Sequence, residues 1–228
     1  MTDTITVYKQ NSIRILTPLG AVYIDPFEMT EAPHDAAFIL ITHDHFDHFS
    51  PESIEKVARP KTVLGAAETN EKAANSATVL VVPEKMAKKA DEVSEFVGKT
   101  VLVEPGKPYE TDGLEFETVA AYNLLKPFHP KSAGWVGYIV KTGEKRIYIA
   151  GDTDATKEAK SVKCDVALVP AGGTYTMDAK KAAELVNDIR PEVAIPVHYG
   201  SVVGSPADGE TFAALVKAPI KAELKIKF

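Results

Sequence analysis

At 228 residues, with 45% apolar and 25% charged side chains, the chain is long enough to close one sizeable core without a second domain. A formal charge of −6 argues against a nucleic-acid-coating surface, although a local cluster among its 26 Lys and Arg residues could hold a small polyanion. No apolar run approaches the roughly 18 to 20 residues of a membrane span, Met1-Thr2-Asp3-Thr4-Ile5 carries no basic leader, and the single Cys164 excludes an internal disulfide.

One soluble, cytoplasmic domain over 1–228 is therefore expected, with Cys164 a buried, inert thiol entering a strand. The β-rich runs 5–8, 13–16 and 21–24 are separated by the turn formers Gln10-Asn11 and Pro18-Leu19-Gly20, and read as an antiparallel meander that ends at Asp25-Pro26. Residues 36–41 form a continuous apolar run, the pattern of a strand buried on both faces. Ser50-Pro51-Glu52 has the form of a helix start, with a serine cap and proline in the first turn, so residues 52–58 are predicted helical. A strand at 62–64 and a helix at 68–74 follow, then a strand at 78–82 and a Lys/Glu-rich helical stretch at 83–97 that Gly98 can end.

From residue 100 the pattern returns to strands, at 100–103, 109–110 and 114–119, punctuated by Pro105-Gly106 and Asp112-Gly113. A loop at 122–133 precedes the strand pair 135–141 and 146–150, joined at Thr142-Gly143-Glu144. The last third alternates strand 165–169, helix 178–188, strand 193–197, helix 208–216 and strand 222–226. A strand-rich half with inserted helices, followed by a strand/helix half, predicts two packed sheets flanked by helices.

Chemistry gathers where apolar strands stop. Thr42-His43-Asp44-His45-Phe46-Asp47-His48 follows the 36–41 run, Gly151-Asp152-Thr153-Asp154 follows 146–150, and His198 follows 193–197. If those strands are neighbours running the same way, His43, His45, Asp47, His48, Asp152 and His198 meet at one sheet edge, where ligand crevices form. Imidazole and carboxylate are ligands for a borderline divalent ion. His43 and His45, two apart, can point the same way from an extended segment, while Asp47 and His48 swing past the bend toward a second position. One or two ions fit this pattern, with Asp152 as the natural bridge and hydroxide formed between them as the nucleophile. Asp154 reads as either a partner of a histidine or the cap of a helix at 155–160. Tyr175 and Met177 either line the pocket or pack.

The His-x-His-x-Asp-His stretch at 43–48, Ala150-Gly151-Asp152-Thr153 and Pro196-Val197-His198, in that order, resemble the metal-ligand motifs of the metallo-β-lactamase-fold hydrolases. Gly172-Gly173-Thr174-Tyr175-Thr176-Met177 and Pro196-Val197-His198-Tyr199-Gly200 look like the branch related to ascorbate-6-phosphate lactonase. The resemblance implies an α/β fold, a four-layer αββα sandwich. It implies that His43 and His45 serve one site, Asp47, His48 and His198 another, and that Asp152 is shared.

The family usually places one more histidine after a middle strand, and the matching position here is Asn123. The vacancy can be filled by the Asn123 side-chain oxygen, by water, or by His129 folding back from the same loop. The expectation is a hydrolase with one or two divalent ions, zinc first, manganese or iron as alternatives. It would act on an ester-like, lactone or phosphoester bond of a small anionic substrate, with Asp47 and Asp152 catalytic and Asn123, Lys126 and His129 near the substrate. A binding or sensor module using the same pocket without turnover is the alternative from another class. A nucleic-acid phosphoesterase shares the metal motif but lacks a basic or aromatic extension to track a strand.

Overall fold

Strands β1 (Ile5–Val7), β2 (Ile13–Thr17) and β3 (Gly20–Ile24) form the expected antiparallel meander, with Ile15 paired to Ile5 on one side and Val22 on the other. From β3 the sheet continues in parallel through β4 (Ala36–Leu40), β5 (Val79–Pro83) and β6 (Lys99–Val103), six strands in sequence order. The computed structural model describes residues 2–60 and 77–228, so the strand expected at 62–64 and the helix expected at 68–74 lie outside the described residues.

The second sheet has seven strands. β7 (Pro108–Thr111), β8 (Leu114–Ala120), β9 (Val136–Thr142) and β10 (Lys145–Ile149) are antiparallel neighbours, after which β11 (Val166–Pro170), β12 (Val193–Val197) and β13 (Lys221–Ala222) continue in parallel. Helices α1 (Pro51–Val57), α2 (Ala87–Ala90), α3 (Lys157–Lys160), α4 (Ala179–Ile189) and α5 (Ala207–Leu215) lie outside the sheets.

Strand alternation makes the layers. Successive side chains point to opposite faces. Val22, Ile24, Leu40 and Val81 turn inward and meet Phe116, Tyr138, Ile149 and Leu168 of the other sheet in the central core. Their neighbours Tyr23, Ile39, Ile41 and Leu80 turn outward onto Ile54 and Val57 of α1 and Ala90 of α2. On the far side Tyr148, Ala167, Val169 and Ala194 pack on Ala182, Leu185 and Val186 of α4 and Phe212 of α5. The result is the four-layer αββα sandwich. Tyr138 also joins the sheets by a polar contact, its buried hydroxyl donating to the Ile41 carbonyl at 2.7 Å.

Local signals mostly carry through. Ser50 Oγ accepts the Ser53 N–H, with Pro51 opening α1, and Asp178 caps α4 by accepting the Lys181 N–H. Three expectations need correction. Residues 83–97 wind in a helical sense and bury Met86, Ala90, Val93 and Val97, but the winding switches between 3₁₀ turns and the single α turn of α2. The strand expected at 222–226 is reduced to β13, because the chain bends toward the N-terminus, where Lys225 Nζ donates to the Thr2 carbonyl and Thr2 Oγ1 to Glu223. Asp154 does not cap the next helix. Thr156 does, accepting the Ala159 N–H.

A fourth difference concerns the site. β4 lies in the first sheet, while β10 and β12 lie in the second with β11 between them. The motifs therefore meet across the open end of the sandwich, not along one sheet edge. The Val136 N–H donates to the Thr42 carbonyl at 3.2 Å, fastening the two sheets at that point.

Candidate metal centre

Strand β4 ends at Leu40, and the chain leaves the sheet carrying His43, His45, Asp47 and His48 on a tight turn held by the His48 and Phe49 N–H groups on the His45 carbonyl. β10 delivers Asp152 and β12 delivers His198. Two clusters result. His43, His45, His129 and Asp152 place ligand atoms within 4.8 Å of one another, and so do Asp47, His48 and His198.

Asp152 stands between them. Its Oδ2 lies 3.3 Å from His129 Nε2 and 3.9 Å from His43 Nε2, while its Oδ1 lies 3.3 Å from His48 Nε2 and 3.2 Å from His198 Nε2. One carboxylate thus gives one oxygen to each cluster. His48 Nε2 and His198 Nε2 are 3.1 Å apart, and Asp47 Oδ2 faces both, at 3.7 and 3.3 Å.

His129 is the residue that folds back. The Asn123 N–H donates to the His129 carbonyl at 2.8 Å and the Asn123 Nδ2 to the Phe128 carbonyl at 2.9 Å, so the asparagine closes the loop that returns His129 to its place. Asn123 Nδ2 also donates to the Tyr175 carbonyl, at 2.8 Å, tying this loop to the segment after β11. Lys126 is not free to meet an anion. Its ammonium donates to Asp154 Oδ1 at 2.7 Å and to the Thr176 carbonyl at 2.6 Å. Asp154 holds the same loop a second time by accepting the Leu124 N–H. Met177 packs in the helix-side core, whereas Tyr175 is partly exposed with its ring edge-on to Phe128.

Three participants escape a reading of motifs. Asp25, at the end of β3, is fully buried and accepts from Asn11 Nδ2, the Thr42 N–H and the Thr42 hydroxyl, and its Oδ2 is 2.7 Å from His48 Nδ1. An acceptor on Nδ1 fixes the tautomer that leaves Nε2 for a metal. Its signal was a carboxylate directly after an apolar strand, the same signal that marks Asp152. Gln10 reaches the second cluster from the β1–β2 turn, with Nε2 3.1 Å from Asp47 Oδ2. Trp135 packs its ring 5.0 Å from those of His43 and His45 and 5.2 Å from that of His129.

The electrostatics follow from burial among opposite charges. Burial holds the His43 imidazole well below the usual histidine range, and the charge of His48 adds to the effect. Burial and the charge of His129 lower His45 in the same way. For His48 burial also opposes the charged form, but Asp152, Asp25 and Asp47 outweigh it and raise the group to about 9. Asp47 drops to about 2 because its bond to His198 and the charges of His48 and His198 overcome desolvation.

Do these residues suit a metal? Among the described residues, His43 Nε2, His129 Nε2 and Asp152 Oδ1 are buried side-chain atoms without a hydrogen-bond partner, and all three point into the clusters. Buried polar atoms are ordinarily paired. An all-nitrogen and oxygen donor set of this kind suits zinc, manganese or iron. The backbone shows strain at the same place: of eight non-glycine residues with left-handed φ among those described, four are Gln10, Asp25, His129 and His198. Such conformations persist where surrounding structure imposes them, often at functional sites.

The profile of the Beta-lactamase superfamily domain matches residues 4–198. The chain belongs to that superfamily. Its similarity to the UPF0173 metal-dependent hydrolase Ta0764 of Thermoplasma acidophilum is 31% identity over 208 residues, 85% of this chain and 82% of the relative. Two solved structures share the superfamily fold. Igni18, a metallo hydrolase from the archaeon Ignicoccus hospitalis, is 20% identical with TM-score 0.72, covering 96% of this chain and 93% of that one. CmlA, a diiron β-hydroxylase from Streptomyces venezuelae, is 13% identical with TM-score 0.69, covering 96% of this chain and 52% of that one. Among the described residues no helix is long and apolar enough to cross a membrane.

Proposed function

We propose that this protein is a two-metal hydrolase acting on an ester-like, lactone or phosphoester bond of a small molecule. The observation that carries the reading is Asp152, whose two oxygens face two separate histidine clusters. His43, His45 and His129 would hold one ion, Asp47, His48 and His198 the other, with Asp152 common to both. Bound there, divalent ions would acidify a water to near neutrality and stabilise the charge that develops on the carbonyl or phosphoryl oxygen.

The chain's own groups have separable roles. Asp47, ionised down to about pH 2, is placed to accept a proton or hydrogen bond from the attacking water as well as to bind metal. Asp25 and Thr42 keep the imidazoles of His48 and His43 turned so that their Nε2 atoms face inward. Trp135 packs its ring against those of His43, His45 and His129 and so restrains the imidazoles of the first cluster.

A substrate with an apolar part is the reading we favour, from side chains next in sequence to site residues. Phe46 beside His45, Leu124 and Leu125 beside Asn123, and Phe128 beside His129 are exposed large apolar side chains. Lys126, expected near the substrate, is committed to Asp154 and offers no free ammonium to an anion. Esters and lactones with an aliphatic or aromatic group, of which sugar-phosphate lactones are the charged counterpart, are the class to assay first.

A panel of lactones, thioesters, aryl esters and phosphodiesters should be offered to protein loaded separately with zinc, manganese and iron. Turnover that disappears on chelation, and in both His48→Ala and Asp152→Ala, supports the reading. Full activity in chelator-stripped, metal-free protein overturns it.

A further inference from the structure

The turn between β1 and β2 sends two amide side chains to two carboxylates. It is closed by the Tyr8 N–H on the Ser12 carbonyl and the Ser12 N–H on the Lys9 carbonyl. Asn11 Nδ2 donates to Asp25 Oδ2, which holds His48, and Gln10 Nε2 lies 3.1 Å from Asp47 Oδ2 and 3.5 Å from His198 Nε2. Gln10 is fully buried, and its own carbonyl accepts the His198 N–H at 2.9 Å. It therefore touches the second cluster through both backbone and side chain.

Its backbone is what makes the side chain informative. Gln10 sits at φ +52°, in the left-handed region where glycine or asparagine is at ease and a longer side chain is not. A residue needed only to turn the chain would do better as glycine. Gln10 Oε1 is, moreover, buried with no hydrogen-bond partner, an arrangement that a purely structural glutamine has no reason to keep.

We propose that Gln10 is a positioning residue of the second cluster. Its carboxamide N–H holds Asp47 Oδ2, the oxygen facing His48 and His198, in the orientation that suits an ion shared by the three. The inference rests on the two-metal reading above, but concerns ion binding rather than turnover.

The test uses full-length, metal-stripped protein, titrated with zinc against a chromophoric chelator and weighed by native mass spectrometry, alongside Gln10→Gly and Gln10→Asn. Both replacements suit a left-handed φ, and neither reaches Asp47. Whatever the change in metal-free melting temperature, one zinc equivalent should bind as in the wild type, and the other should weaken by about 10- to 100-fold, as for lost outer partners of ligands. Two unchanged equivalents in both variants would overturn the proposal, as would a lowered metal-free melting temperature with both equivalents weakened alike. Wild-type protein that takes up no zinc would instead sink the two-metal reading itself.

Discussion

His48 shows how one side chain sets the pH behaviour of the whole centre. Its folded value, about 9, lies above the ordinary 6.5, because Asp152 and Asp25 stabilise the imidazolium against burial. The sign follows directly: in the metal-free protein this contribution to stability is complete below pH 6.5 and is lost as pH rises through about 9. The metal-free melting temperature should therefore fall between those limits, and an assay showing it constant or rising would contradict the assignment. The same proton must leave before Nε2 can bind a metal. Calorimetry of zinc uptake at pH 7 in buffers of different ionisation enthalpy should thus report a released proton, diminishing toward pH 10. Asp25→Asn removes the negative charge paired with this imidazole and turns one of the two acceptor oxygens that hold His48, Thr42 and Asn11 into a donor amide. We expect it to lower metal affinity by about 10- to 100-fold and to destabilise the fold, since taking one partner from a buried charged pair costs about 3 to 5 kcal/mol. His129→Ala should cost one metal equivalent, measurable by inductively coupled plasma analysis of dialysed protein.

At the scale of elements, the site depends on how closely strand ends approach. Gly172, just past β11, lies against the backbone carbonyl of His198, and a Cβ there would collide with that carbonyl and crowd Val203. Gly172→Ala should shift His198 while leaving the sheets intact. The predicted outcome is a near-native far-ultraviolet circular dichroism spectrum with reduced metal content; retention of full metal content would contradict it. Much of this layout was legible in the residues: apolar runs that stop in His or Asp marked β4, β10 and β12, and their ends do converge. What could not be read was the partition of those strands between two sheets, because an apolar run such as 36–41 reports burial on both faces without saying which neighbours provide it. Gln10 carried no signal, and the one Asp25 carried, a carboxylate directly after an apolar strand, did not point to its partner. Asp-Pro and Gln-Asn are ordinary turn dipeptides, and only long-range packing turns their side chains toward His48 and Asp47. His129 was accessible because the family position held Asn123 and a histidine six residues on could replace it. The part Asn123 plays in closing that loop was not.

For the whole molecule, the two candidate ion positions draw ligands from both sheets: the β4 turn from the first, the β10 and β12 ends from the second. Metal should accordingly stabilise the sandwich globally. At a free concentration about 100 times the dissociation constant, one site adds about 2.7 kcal/mol. In a chain of this length that corresponds to about 5 to 10 °C in melting temperature, which chelation should reverse. A scan with no metal-dependent shift would rule out the clusters as resident metal sites.

The loop that closes on Asn123 carries a consequence in time. His129 is held by bonds reaching Tyr175 after β11, through Asn123, and its loop by Lys126 and Leu124 on Asp154 after β10. Those anchors exist only once the second sheet is assembled, and Asp152 and His198 arrive with the same strands. The nascent chain thus holds just the His43–His48 stretch, whose four donors belong to two different clusters and complete neither. Maturation should run in one order, polypeptide first and metal last, so protein made in metal-depleted cells should be folded, protease-resistant and rapidly reconstituted by adding the ion alone.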